Sequence, residues 1–351
     1  MASLTERLLK SGSVKTANVV SASKFFGAKD PIKTDLPIVN IAFSGHLDGG
    51  LIPGLTVVAG ASKSFKTLLS LYCMRAFLKK HKEGIALLYD SEFGITPEYL
   101  TGMGIDVDRV LHIPIMNIEE LKFDIVARLK EIEKNDKVFI MIDSVGNLAS
   151  LKEVEDAENE KSVADMTRAK QLKSLFRIVT PILTVKEIPL LAINHIYMTQ
   201  EMFSKPIVSG GTGIYYSANT IFIITKRQVK EGDQLAGWEF VINIEKSRYV
   251  KEKAKLVFTV TYEDGIKRWS SLFDLALEAG HIVKANQGWY NFVDMETGEV
   301  IEPKKRLKDI ESDDAFFQKL VVDNTFKQFV RDKFMLTEMT DEEVVDEDED
   351  E

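Results

Sequence analysis

The stretch LTVVAGASKSFKTLLSLYCMRAFLKK, residues 55–80, passes through three textures. Leu55–Gly60 is an apolar run of the length of a buried strand, Gly60–Thr67 is largely polar, and Leu68–Lys80 carries apolar residues at helical spacing. A strand that enters a helix through a short polar turn has the local order of a phosphate loop of the Walker A kind. Backbone N–H groups along Gly60, Ala61, Ser62, Lys63, Ser64 and Phe65 can cradle phosphate oxygens, Lys66 can reach the terminal phosphates, and Thr67 can place its hydroxyl on Mg²⁺. One position is irregular. Phe65 stands where such loops carry glycine, so its side chain is expected to resist a positive φ and to add bulk beside the phosphates.

The alternation continues downstream. GIALLYDSE (84–92), VLHIPI (110–115), VFIMIDS (138–144) and PLLAINHI (189–196) are short apolar runs separated by helical patterns, which predicts an α/β fold with a mostly parallel central sheet and helices on both faces. TIFIITKRQ (220–228), WEFVINIEKSR (238–248) and AKLVFTVTYEDGI (254–266) follow without long helices between them and predict an antiparallel extension of that sheet. Beyond Ser270, SLFDLALEAG reads as a helix closed by Gly280, and 313–334 has helix-like apolar spacing. The expected division is a helix and arm over 1–35, a core over 36–269, a small lobe over 270–340 and an acidic tail over 341–351.

Charge has to be read by position. The 351 residues hold 45 bases and 54 acids, a formal net charge of -9, which at face value disfavours a polyanionic partner. The final eleven residues, DEEVVDEDEDE, contain nine acids and no base; 54 less nine leaves 45 acids against 45 bases, so the body is neutral. Within it EKSRYVKEKAK (245–255) gathers five bases against two acids, and the tail reads either as a polyanion competing with a polyanionic partner for such surfaces or as a solubility aid. The single cysteine, Cys73, forms neither an internal disulfide nor a cysteine cluster for zinc and reads as a small core residue in a reducing cytosol. With no apolar run of about 18 residues and no signal core, a soluble cytoplasmic protein without membrane partners is expected.

Three strand ends supply further chemistry. VFIMIDS ends at Asp143, placed to support Mg²⁺ directly or through water. In LLYDSEFG, Asp90 and Glu92 are expected on one face of a strand, both pointing to the sheet's carboxyl edge, with Glu92 free to orient or deprotonate an attacking water. PLLAINHI ends in Asn194 and His195 before a long polar loop, where a side chain can touch a γ-phosphate and move the loop when that phosphate leaves.

Gly60–Thr67, Glu92, Asp143 and Asn194–His195, in this order, resemble the core of the RecA family of homologous-recombination ATPases, and the segments SKFF, LYDSEFGITPEYL, IDSVGNLAS, DMTRAK, SLFRIVTP, QEMFSK and INIEKSR resemble its bacteriophage branch. The resemblance implies a RecA-like core with an N-terminal polymerisation arm and a small C-terminal lobe. It implies a DNA-dependent ATPase that uses ATP and Mg²⁺, yields ADP and phosphate with AMP also allowed, and drives strand exchange from a homo-oligomeric filament on single-stranded DNA that is paired with homologous duplex. Single-strand-binding and mediator proteins are its implied partners, in an infected host's cytoplasm. It casts Lys66, Thr67 and Asp143 as phosphate and metal ligands, Glu92 as the water-activating carboxylate, Tyr99 as the aromatic on adenine and His195 as the γ-phosphate sensor. Lys246 and Arg248, a solvated basic strand edge when read alone, become the cations that reach a neighbour's nucleotide. The two DNA loops fall at about 148–167 and 197–215. Arg168, Lys170 and Lys173 are the expected phosphate contacts of the first, where 152–160 holds five acids and one base; the second carries Phe203, Lys205, Gly210 and Gly211, an aromatic for stacking or wedging and a flexible glycine backbone that suit non-specific single-strand binding. FFGA (25–28) is similar to a docking motif of eukaryotic recombinases. A ring helicase on the same core, or a paralogue that binds nucleotide without hydrolysing it, stays open at this point.

Overall fold

Apolar runs too short for helices become the strands of one large sheet, and its inner members are buried on both faces. The computed structural model describes residues 3–14, 16–23, 30–133, 135–159, 167–199, 204–263 and 265–336. FFGA, Phe203 and the acidic tail lie outside the described residues. The chain falls into two compact units, Met1–Asp30 and Pro31–Glu351.

In the first unit, α1 (Leu4–Ser11) starts with a capping box: Ser3 Oγ accepts from the Glu6 N–H, and the Glu6 carboxylate accepts from the Ser3 N–H. Its Leu4, Leu8 and Leu9 are all exposed.

The second unit opens with α2 (Pro37–Ser44), β1 (Gly54–Gly60), α3 (Lys66–Lys80), β2 (Ile85–Asp90), α4 (Pro97–Gly102), β3 (Val110–Pro114) and α5 (Ile118–Glu131). It continues with β4 (Val138–Asp143), α6 (Leu151–Glu158), α7 (Thr167–Lys186), β5 (Pro189–Asn194), β6 (Ile196–Met198), β7 (Pro206–Val208) and α8 (Thr212–Ser217). Then come β8 (Thr220–Glu231), β9 (Gln234–Lys246), β10 (Lys255–Thr261) and β11 (Gly265–Ile266). The nine-stranded sheet runs β11-β10-β9-β8-β1-β5-β4-β2-β3, parallel from β8 to β3 and antiparallel from β8 to β11. Every residue of β1, β4 and β5 is buried. α2 and α3 pack in the core of one face, and α5 and α7 in that of the other. This is the α/β architecture expected, with its antiparallel extension.

The last part differs from expectation. α9 (Leu272–Glu278) is the helix closed near Gly280, but it leads into a three-stranded antiparallel sheet, β12 (Ile282–Asn286), β13 (Trp289–Val293) and β14 (Val300–Arg306), that the sequence reading missed. β14 is exposed along nearly its whole length, so it shows none of the apolar alternation that marks a half-buried strand. After α10 (Leu307–Glu311), the 313–334 region is two helices, α11 (Asp314–Leu320) and α12 (Asn324–Phe334). Asp323 breaks it by capping the second: its carboxylate accepts from the Phe326 N–H at 2.8 Å.

The chain after α12 closes onto the core. Lys251 N–H donates to the Phe334 carbonyl at 2.8 Å, and Leu336 N–H donates to the Tyr249 carbonyl at 3.0 Å. Gly45 ends α2 at φ 79°, and a Cβ there would lie 2.8 Å from the Met335 Cα. Gly45→Ala therefore combines a left-handed backbone with a backbone clash, and is expected to cost about 2 kcal/mol or more, read as a lowered urea midpoint. An unchanged midpoint would refute this docking.

Candidate nucleotide site

The parallel strands β1, β2, β4 and β5 all end at one edge of the sheet, where Asp90 pairs in register with Asp143 and Ala59 with Asn194. Chain-distant residues therefore meet there. Ser62–Leu68, Glu92, Tyr99, Asp143, Ile193 and His195 line a cleft of about 210 Å³.

α3 has no side-chain cap, because the residue before it is Phe65. Its first-turn N–H groups are left for an anion rather than for a Ser, Thr, Asp or Asn side chain. Phe65 does take the left-handed conformation, φ 71° and ψ 11°, against the expectation that its side chain would resist it. Its ring packs on Phe240 and Phe258, with centroids 4.7 and 5.1 Å away. Aromatic burial offsets a backbone cost of about 1–2 kcal/mol. Lys63 is left-handed too, and its carbonyl accepts from Lys226 Nζ at 3.0 Å.

Thr67 Oγ1 donates to Asp143 Oδ2 at 2.8 Å, joining the helix start to the end of β4. Lys66 is buried, with Nζ on the Ala61 carbonyl at 2.7 Å; burial lowers its pKa, against the pull of Glu92 and Asp143. Burial pushes the Asp143 carboxyl up to about 6, opposed by the Thr67 hydrogen bond and helped by Glu92 and Asp90. Ser64 Oγ and Asp143 Oδ1 are buried without a hydrogen-bond partner. A hydroxyl, a carboxylate oxygen and a lysine facing one cleft beside an uncapped helix are a donor set that fits a nucleotide's phosphates with Mg²⁺.

Glu92 reaches the cleft by another route than a shared strand face. β2 ends at Asp90, which is buried, and its Oδ1 accepts from the N–H groups of Glu92 (3.0 Å) and Phe93 (2.8 Å). Asp90 thus shapes the turn that aims Glu92 instead of sharing its role. His195 Nε2 lies 3.4 Å from Glu92 Oε1, and Asn147 stands between them: its Nδ2 donates to Glu92 Oε1 at 3.0 Å and its Oδ1 faces His195 Nε2 at 3.1 Å. The sequence reading missed Asn147. Its signal was position, four residues past Asp143 at the exit of a core strand. Tyr99 sits in the first turn of α4, 42% exposed at the cleft's rim, where a base could stack.

Other candidates stand apart from the cleft. Lys246 Nζ donates to the Tyr215 carbonyl at 2.7 Å, capping the end of α8, and Arg248 is exposed. The loop expected at 148–167 contains α6, capped by Ser150, and that at 197–215 contains the β6–β7 hairpin and α8. Lys170, Lys173 and Lys205 are exposed, and Gly210 and Gly211 both have positive φ. Arg168 departs from its expected role, because its guanidinium is half-buried on the carbonyls of Val145, Gly146 and Leu148.

An uncapped helix after β1 and an acid at the end of β4 have the arrangement of a P-loop, and comparison with known proteins gives the family. The RecA N-terminal domain matches residues 37–267, and the C-terminal domain of the bacteriophage T4 recombination and repair protein matches residues 269–330. The recombination and repair protein of Enterobacteria phage T4 (UvsX) is 48% identical over 350 residues, 99% of this chain and 89% of that one. Protein RecA of Chlorobaculum tepidum is 28% identical over 293 residues, 82% and 80% of the two chains, and that of Ruegeria pomeroyi 26% over 261 residues, 73% of each. The chain belongs to the RecA family.

Two outcomes test this geometry. Phe65→Gly should be more stable than Phe65→Ala by about 1 kcal/mol in urea unfolding, because both lose the ring packing and only alanine keeps the left-handed penalty; the reverse order would refute the conformation. Asp143→Asn should raise nucleotide-free stability at pH 8 by on the order of 2 kcal/mol, since it removes a buried charge. The gain should begin to shrink as pH falls below about 6, where the native wild-type carboxyl takes up its own proton, and vanish only near the ordinary carboxyl value of 3.8. A destabilised variant at pH 8 would contradict this.

Proposed function

We propose that this chain assembles on single-stranded DNA, pairs that strand with homologous duplex, and hydrolyses ATP where neighbouring subunits meet. It is a DNA strand-exchange recombinase. The observation that carries the reading is the convergence of the water-activating carboxylate with the starts of both DNA loops. Glu92 touches Asn147 at the exit of β4 and lies beside His195 at the exit of β5, and each exit leads into one loop.

In this reading Lys66 and the α3 N–H groups hold the phosphates, Tyr99 stacks on the base, and Thr67 and Asp143 would hold Mg²⁺. The metal supplies charge neutralisation on the phosphate oxygens. Glu92 orients a water for attack on the γ-phosphorus and accepts its proton, while His195 senses whether that phosphate is present. Lys246 and Arg248 serve the neighbour's nucleotide, so hydrolysis depends on assembly. For Lys246 this requires exchanging the α8 carbonyls for phosphate oxygens. The free cations Lys170, Lys173 and Lys205 and the Gly210–Gly211 backbone supply sequence-independent DNA contacts; Phe203 is proposed for base stacking. The exposed leucines of α1 suit an arm that packs on another subunit. Among the described residues no helix is long and apolar enough to cross a membrane; the infected host's cytoplasm is the proposed setting, with single-strand-binding and mediator proteins as partners.

With ATP, Mg²⁺ and single-stranded DNA, electron microscopy should show helical filaments, and a homologous duplex should be paired. Glu92→Gln should keep the filaments and lose phosphate release by about a hundredfold or more. Neither filaments nor pairing would sink the proposal; phosphate release unchanged by Glu92→Gln would remove Glu92 from its role.

A further inference from the structure

Asn147 and Arg168 occupy the root of the first DNA loop but neither faces an established ligand. The turn Val145–Leu148 has no regular structure of its own to hold it. Arg168, in the first turn of α7, holds it instead: Nε donates to the Leu148 carbonyl at 2.9 Å, and one terminal nitrogen donates to Val145 at 3.2 Å and to Gly146 at 2.9 Å. The residue bracketed by these carbonyls is Asn147. Its side chain is thereby held where its amide can engage Glu92 and His195 together, donor end to the carboxylate and acceptor end to the ring. The fit is close, since a Cβ on Gly146 would come within 2.3 Å of His195 Cδ2.

The same end of α7 also meets the second loop. A Cβ on Gly210 would approach Leu172 Cδ1 to 2.9 Å, and one on Gly213 would approach Lys173 Cβ to 2.6 Å. The second loop returns to the catalytic side through Asn194, whose Nδ2 donates to the Ser209 carbonyl at 2.7 Å, and through the Ser209 N–H, which donates to the His195 carbonyl at 2.9 Å. One helix end thus touches the exit of β4 and packs against the far end of the second loop, which is itself bonded to the exit of β5 through Ser209.

We propose that Asn147 is a positioning residue that holds Glu92 and His195 as one unit, and that Arg168 couples this unit to DNA seated on the loops, rather than contacting DNA itself. The inference rests on the strand-exchange reading and names how that site is regulated. Neither side chain reacts. The Asn147 amide fixes the direction of the Glu92 carboxylate, and a shift of α7 on DNA binding is transmitted through the three Arg168 hydrogen bonds to the residue that aims Glu92.

The test measures phosphate release by the full chain with saturating ATP, with and without saturating poly-dT, and poly-dT affinity by anisotropy with a slowly hydrolysed ATP analogue. Asn147→Ala should lower the DNA-stimulated kcat by about tenfold or more, with the KM for ATP and poly-dT affinity within about twofold of wild type. Arg168→Ala should lower the ratio of stimulated to unstimulated turnover and leave poly-dT affinity within about twofold. In the double variant the Arg168 substitution should add nothing further, because its effect runs through Asn147. Asn147→Ser and Arg168→Lys, which keep a polar head, replace any variant that fails to fold as judged by circular dichroism, with the same directions expected. Unchanged kcat in the Asn147 variants overturns the positioning role. Weakened poly-dT binding with stimulation intact at saturating DNA makes Arg168 a phosphate contact and overturns the coupling. Wild-type protein whose turnover ignores DNA would instead overturn the recombinase reading, a failure distinct from either.

Discussion

The left-handed backbone at Phe65 is the constraint on which the site depends. A phosphate loop has to turn from strand to helix while leaving the first N–H groups of that helix unbonded, and the residue at the turn must have positive φ. Glycine meets that need without packing against anything. Phenylalanine meets it only because Phe240 on β9 and Phe258 on β10 receive its ring. The loop's conformation is therefore anchored in the antiparallel extension of the sheet, and Lys226 on β8, reaching the Lys63 carbonyl, strengthens the same tie. In this chain β8–β10 are part of the nucleotide site's foundation as well as a structural margin.

The residues that make the cleft were legible because parallel strands impose a simple geometry: whatever ends such a strand lies at one edge. Thr67, Asp143, Tyr99 and His195 all reach the cleft, and the α/β architecture follows from the same short apolar runs. What was not legible depends on hydrogen bonds between segments far apart in the chain. Asp90 was expected to point to the carboxyl edge alongside Glu92 but serves as a turn acceptor, because β2 ends at Asp90, two residues short of Glu92. Asn147 lies inside the quoted segment IDSVGNLAS but has no chemistry of its own to mark it, and its contacts to Glu92 and His195 arise only because those two come within 3.4 Å of one another. The strands β12–β14 were hidden for a different reason. β14 exposes apolar Val300 and Ile301 as well as its charged residues, so burial and polarity do not alternate along it and the pattern gives little to read.

Charge counting met a deeper limit. Several basic side chains end on backbone carbonyls instead of carboxylates. Arg109 bonds the Leu78 carbonyl at 3.1 Å and that of Gly84 at 3.0 Å; Lys186 reaches Leu129 at 2.6 Å and also Ile132. Lys246 reaches Tyr215, and Lys251 reaches Asp332 at 2.7 Å. Four of these cations close the C-terminal ends of α3, α5, α8 and α12, where unpaired carbonyls carry the negative end of the helix dipole. Such a cation satisfies an acceptor without cancelling a carboxylate.

The formal balance of the body therefore overstates the positive charge available to a partner. Of the five bases in EKSRYVKEKAK, Lys246 and Lys251 already bond backbone carbonyls in the single subunit, and at the start of α7 Arg168 does too. Arg248, Lys253 and Lys255 of that run stay exposed, as do Lys170, Lys173 and Lys205 near the two expected loops. Net charge therefore says little about where a polyanion can be held, because a cation on a helix-end carbonyl and a cation in solvent count alike in the total. Phosphate contacts from exposed cations add along a strand, so affinity for a polyanion grows with the number of subunits acting together and does not require that any one copy be basic.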